Sequence, residues 1–82
     1  MKGGNGMSAQ ERKRKYDLLR KYIRKQLIMC GYTVEELAVM LHVSRATVYN
    51  KLNNPATFTF FELQTLFHSL QFTEAEQLQV VS

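Results

Sequence analysis

Three side chains within one short stretch, Arg45, Ala46 and Asn50, have the chemistry to read nucleic-acid bases. In Ser44-Arg-Ala-Thr-Val-Tyr-Asn-Lys-Leu52, helical spacing places Arg45, Ala46, Tyr49 and Asn50 on one side and Val48 and Leu52, four residues apart, on the other. A guanidinium can donate two parallel hydrogen bonds to guanine. A carboxamide can both donate to and accept from adenine, and an alanine methyl can rest on the methyl of thymine. These chemistries act together only if the segment is a helix with one face packed, the other open and a girth that suits the major groove. Each residue also has a plainer use: Arg45 as a solvated first-turn residue, Asn50 as a polar surface residue, Tyr49 as packing.

The flanking residues supply the means to hold such a helix. Ser44 is a natural N-cap for it, and Val43 with Val48 forms the hydrophobic staple across that cap. Upstream, Thr33 with Glu36 makes a capping box for a preceding helix, stapled by Tyr32 and Leu37. The connection His42-Val43-Ser44 is then a tight turn with a defined exit direction. The inward set is Leu37, Ala38, Leu41, Val43, Val48 and Leu52, with the small Ala38 where two crossing helices approach most closely.

The residues Leu37-Ala38, Val43-Ser44-Arg45, Thr47-Val48 and Leu52 together resemble the helix-turn-helix of the lambda-repressor-like family, the Xre/Cro group of phage and bacterial regulators. Downstream, Phe58-Thr59-Phe60-Phe61-Glu62-Leu63 and then Leu66-Phe67-His68-Ser69-Leu70 look like the helix that follows in that family, so the likeness spans roughly residues 16 to 80. The resemblance implies an all-α, five-helix DNA-binding domain with the helix-turn-helix at helices 2 and 3. It implies base contacts from Arg45, Ala46 and Asn50, with Ser44, Thr47, Tyr49 and Lys51 nearer the sugar–phosphate backbone. The amino end of the helix opened by Thr33 would face a phosphate, although Glu35 and Glu36 oppose that attraction. One departure is His42, where the family commonly has glycine at a turn position that favours positive φ; histidine is among the less penalised alternatives.

One recognition helix reads only a few base pairs, and family members usually pair two copies on a two-fold site. The resemblance therefore implies a weak homodimer, formed on double-stranded DNA, with Phe61 or the last helix around Leu78, Val80 and Val81 at the contact. A small transcriptional regulator of repressor type, of phage or mobile-element kind, is the corresponding role.

The remaining chain follows the same grammar. Residues 1–7, MKGGNGM, form a glycine-rich arm with few side chains to pack, and residues 8–82 are expected to form one domain. Ser8 with Glu11 suggests another capping box, opening a helix that runs to Cys30 and closes on Gly31 as a left-handed cap. Its buried stripe is expected at Tyr16, Leu19, Ile23, Leu27 and Cys30, with the pairs Glu11–Lys15 and Asp17–Lys21 on its surface. Thr59 with Glu62, and Phe58 with Leu63, open a fourth helix whose inward stripe is Phe60, Leu63, Leu66, Phe67 and Leu70. Thr73 with Glu76 opens a last helix through about Val80. Phe61 is expected at the surface and Phe72 in the core.

Charge is uneven. The chain of 82 residues carries a formal net charge of +4, yet all 11 Lys and Arg residues lie at or before Lys51. Glu11, Asp17, Glu35 and Glu36 are the four acids of that part, so residues 1–51 carry +7, whereas Glu62, Glu74 and Glu76 leave residues 52–82 at −3. Such polarity suits a polyanion on one face. Arg14 and Lys15 of the first helix are candidates for phosphate contact, set against the ordinary reading of a basic run as a solvated helix face.

Other classes find little support. Glu35 and Glu36 are adjacent and point to different faces, His42 and His68 have no carboxylate at a telling spacing, and Ser44 and Ser69 have no evident base. No enzyme is expected. His42, His68 and Cys30 follow no zinc spacing, and no glycine-rich loop follows a strand, so neither metal, cofactor nor small-molecule ligand is expected. The single Cys30 reads as a gap-filler. With 45% hydrophobic residues and no sustained apolar run, a soluble cytoplasmic chain without membrane contact is expected, acting at the nucleoid of a bacterial or phage-infected cell. Two alternatives stay open: a protein-interaction module such as an antitoxin-like partner, and RNA binding through the basic first helix.

Overall fold

The computed structural model describes residues 9–81. It contains five α-helices and no strand among those residues: α1 (Ala9–Cys30), α2 (Val34–Leu41), α3 (Arg45–Asn53), α4 (Phe60–Ser69) and α5 (Glu74–Val81), with a single 3-10 turn, Pro55–Thr57, between α3 and α4. The expected amino-terminal arm and its Ser8 cap lie outside the described residues. No helix among those described is long and apolar enough to cross a membrane.

Three of the four joins between helices use one three-residue device. At Gly31-Tyr32-Thr33, His42-Val43-Ser44 and Gln71-Phe72-Thr73, the first residue takes a left-handed conformation, with φ of 76°, 59° and 58°. The second donates its amide back to a carbonyl five residues earlier: Tyr32 to Leu27 at 2.9 Å, Val43 to Ala38 at 3.0 Å and Phe72 to Phe67 at 3.0 Å. That is the Schellman ending of a helix, and it satisfies carbonyls that a helix terminus would otherwise leave bare. The third residue caps the next helix. Thr33 accepts from the Glu36 amide at 3.1 Å, Ser44 from the Thr47 amide at 3.1 Å and Thr73 from the Glu76 amide at 3.1 Å. Glu36 and Glu76 complete reciprocal boxes by accepting from the amides of Thr33 and Thr73. Each turn therefore fixes the exit direction of one helix and the start of the next within three residues.

The core is one cluster. Leu19, Ile23 and Leu27 of α1 meet Leu37, Ala38 and Leu41 of α2, Val48 and Leu52 of α3, and Leu66 and Phe67 of α4, with Phe58, Leu70 and Phe72 from the connections. Ile23, Leu37, Val48, Leu66 and Leu70 are fully enclosed, and each such side chain contributes about 1.5–3 kcal/mol through its burial. Helix α5 has no fully buried residue. It is clamped to α1 by the Tyr22 hydroxyl on Gln79 and by Lys25 on Glu76 at 2.9 Å. Lys25 beside Glu76, together with the capping Thr73 amide, holds the Glu76 carboxyl below the usual glutamate range.

Several expectations are corrected. Phe60 is 76% exposed, and Phe58, before the cap, fills the core slot instead. The buried face of α4 is formed by Glu62, Leu66 and Phe67, which leaves Phe60 at its rim. Tyr16 and Cys30 are only half-buried, and the Cys30 thiol faces the Leu70 carbonyl at 3.6 Å. Asp17 pairs with Lys13 at 3.0 Å and Arg20 at 3.4 Å and not with Lys21, because Arg20 is drawn to the same side of α1 by the end of α3.

Candidate functional site

Helix α3 turns Val48 and Leu52 fully inward, and it leaves Arg45, Ala46, Tyr49 and Asn50 exposed along its other side. Ser44 sets its start, with its hydroxyl bonded to the Thr47 hydroxyl at 2.9 Å as well as to the Thr47 amide. Both hydroxyls thus serve the cap. Arg45, in the first turn, forms an ion pair with Glu35 of α2 at 2.8 Å, and its guanidinium lies 5.5 Å from the centre of the Tyr49 ring. The two partners are about three-fifths exposed, so the pair orients the arginine without withdrawing it from solvent. Solvent screening keeps such a pair weak, about 0.2–1 kcal/mol.

The other end of α3 is tied to α1. Arg20 donates from Nε to the Leu52 carbonyl at 2.6 Å and from Nη2 to the Asn53 carbonyl at 3.3 Å. A cation on terminal carbonyls suits the negative end of the helix dipole. Asn53 is exposed on the same side of α3 as Ala46 and Asn50, and it borders a hollow whose other walls are Asp17, Arg20, Lys21 and Arg24 of α1.

The remaining expected contacts are scattered. Thr33 has both its amide and its hydroxyl engaged with Glu36. Lys51 turns away from the exposed face of α3: its ammonium meets Glu62 at 2.9 Å and the Thr57 carbonyl at 2.8 Å, and its side chain is only 14% exposed. The partners lie on different helices, too far apart in the chain for a local pattern to mark them as a pair. Burial pushes the Glu62 carboxyl up, but hydrogen bonds from the Thr59 amide and Lys51, with the lysine charge, outweigh it and hold Glu62 below the ordinary glutamate range. Arg14, Lys15 and Lys21 line a hollow with Leu18 and Gln79, on the α5 side of α1. Of the residues expected at a dimer contact, Phe61, Leu78 and Val81 are exposed, whereas Val80 packs against the core. Phe60, Leu63, Phe67, Leu78 and Val81 line a groove of about 340 Å³ between α4 and α5.

No group of three His, Cys, Asp or Glu among the described residues is placed to hold a metal ion. Reasoning from sequence missed Arg20, Asn53 and the pairing of Glu35 with Arg45; the first and last need the tertiary contact between helices, but the amide of Asn53 falls on the helical face of Ala46 and Asn50 and was open to the same spacing argument. In comparisons with known proteins, no family model matches the chain, and neither a curated protein nor a solved structure matches it.

Proposed function

We propose that this protein binds duplex DNA sequence-specifically as a helix-turn-helix domain of lambda-repressor-like type, with α2 and α3 as the motif. The observation that carries the reading is the exposed row Arg45, Ala46, Tyr49 and Asn50 on a helix whose opposite side, Val48 and Leu52, is locked in the core. Arg45 and Asn50 are the base readers, on guanine and adenine respectively, and Ala46 meets a thymine methyl. Tyr49 buttresses Arg45. The role that follows, by the family resemblance, is a small repressor-type regulator of phage or mobile-element kind, working in the cytoplasm of a bacterial cell.

A second copy completes the site. Phe60, Phe61, Leu78 and Val81 are each more than half exposed, and Phe60, Leu78 and Val81 border one groove between α4 and α5. The dimer is weak in solution and forms on a two-fold DNA site.

Selection of bound sequences from a random duplex library tests the reading, with Arg45→Ala as the control. An enriched motif is expected, and the variant should lose about 1–3 kcal/mol on it while binding scrambled duplex nearly as before. Equal binding of all duplexes by the unaltered protein overturns the reading and favours an acidic protein or RNA as the partner of the basic half.

A further inference from the structure

We infer that the hollow beside the carboxyl end of α3, walled by Lys21, Arg24 and Asn53, is a phosphate-binding shelf that seats the DNA backbone flanking the bases read by α3. The inference rests on the duplex-binding reading and assigns its electrostatic contact. Three observations support it. Asn53 belongs both to the hollow and to the exposed side of α3 that carries Ala46 and Asn50, so the shelf is continuous with the reading face. Asp17, the acid in the hollow, is engaged by Lys13 and Arg20, and Arg20 is spent on the α3 carbonyls, whereas Lys21 and Arg24 have no ion pair among the described residues. Finally, Lys21 and Arg24 stand about 4.5 Å apart along the α1 axis. Three residues apart, they are neighbours on the α1 surface, with Cβ atoms about 5–6 Å apart, so their long side chains can reach one phosphate or two adjacent ones.

The shelf displaces the assignment that sequence favours. Arg14 and Lys15 are just as basic, but they line a neighbouring hollow shared with Gln79 of α5, which Lys21 also borders and which Arg24 and Asn53 do not reach. A duplex seated on α3 therefore meets Arg24 first and Lys21, on the ridge between the two hollows, before Arg14 or Lys15.

The test is the salt dependence of binding to a selected duplex and to a scrambled one, for the full chain and for the variants Lys21→Ala, Arg24→Ala, Arg24→Gln, Arg14→Ala and Lys15→Ala. Arg20 is left intact because it caps α3, and thermal melts check that each variant folds. Every phosphate that a variant no longer neutralises lowers the slope of log K against log salt by about 0.9. Lys21→Ala, Arg24→Ala and Arg24→Gln are each expected to lower it by that amount on both duplexes, while Arg14→Ala and Lys15→Ala leave it unchanged. Binding that keeps its full slope in the Lys21 and Arg24 variants overturns the shelf. So does an equal decrease in all five variants, which is the behaviour of a diffuse basic helix. If the unaltered protein binds both duplexes equally and only the shelf variants lose slope, sequence reading fails and the shelf stands. Failure to bind any duplex at low salt, or binding to RNA alone, overturns both.

Discussion

Lys51→Met tests the most consequential internal contact. The lysine sits in the last turn of α3 and its ammonium is held by the Glu62 carboxylate at 2.9 Å, by the Thr57 carbonyl at 2.8 Å and over the Phe58 ring at 5.8 Å. At an effective dielectric constant of about 20, unit charges at this separation attract by about 6 kcal/mol, and desolvation of the two ions offsets much of it. Removing one partner of a fully buried pair costs about 3–5 kcal/mol. Here Glu62 keeps the Thr59 amide at 2.8 Å and both side chains retain a sliver of solvent, 14% and 8%, which lowers the expectation to about 2–3 kcal/mol. Methionine preserves the packed stem, so the loss reports the ammonium. For a domain of this size that is roughly a 10–20 °C fall in melting temperature. The pH dependence gives an independent check. The folded-state value of Glu62 is lowered, so its stabilising effect is complete above the ordinary glutamate value, about 4.3, and is lost as the pH falls through the lower folded value. Urea unfolding of both proteins at pH 7 and near pH 3 should therefore show the cost of Lys51→Met shrinking in acid. A loss below 1 kcal/mol at pH 7, or the same loss at both pH values, would refute the reasoning.

Two further outcomes follow from the fold and the proposed assembly. His42→Gly should stabilise the chain by about 0.5–1 kcal/mol in urea unfolding, because relief of a left-handed conformation worth about 1–2 kcal/mol exceeds the extra chain entropy of glycine; a destabilised variant would show that the imidazole contributes more than its backbone costs. Sedimentation on a palindromic duplex with half-sites about one helical turn apart should give two copies per site, and Phe60→Asp should reduce this to one; a one-to-one complex of the unaltered protein at saturation, or a pair that survives the substitution, excludes the α4–α5 groove as the contact.

Local grammar is legible in the chain alone. Thr33 with Glu36, Ser44 before α3, Thr59 with Glu62 and Thr73 with Glu76 can be read there because a cap and its amide lie three residues apart, and the bond needs no other part of the chain. The positive φ at His42 was expected from the family resemblance, which has glycine there, and the burial of Val48 and Leu52 from helical period. Gln71 shows the limit even there, since nothing about a glutamine marks a left-handed turn. Packing between helices decided which chemically equivalent residues are spent and which remain open. Lys51 is consumed by Glu62, Arg20 by carbonyls 32 and 33 residues away, and Phe58, outside α4, takes the core position that periodicity gave to Phe60. Arg14 and Lys15 are set toward α5 and Arg24 stands near Asn53, while Lys21 borders both hollows. A helix surface carries basic residues all round α1, and only the packing of α3 and α5 against it gives each side a different neighbour.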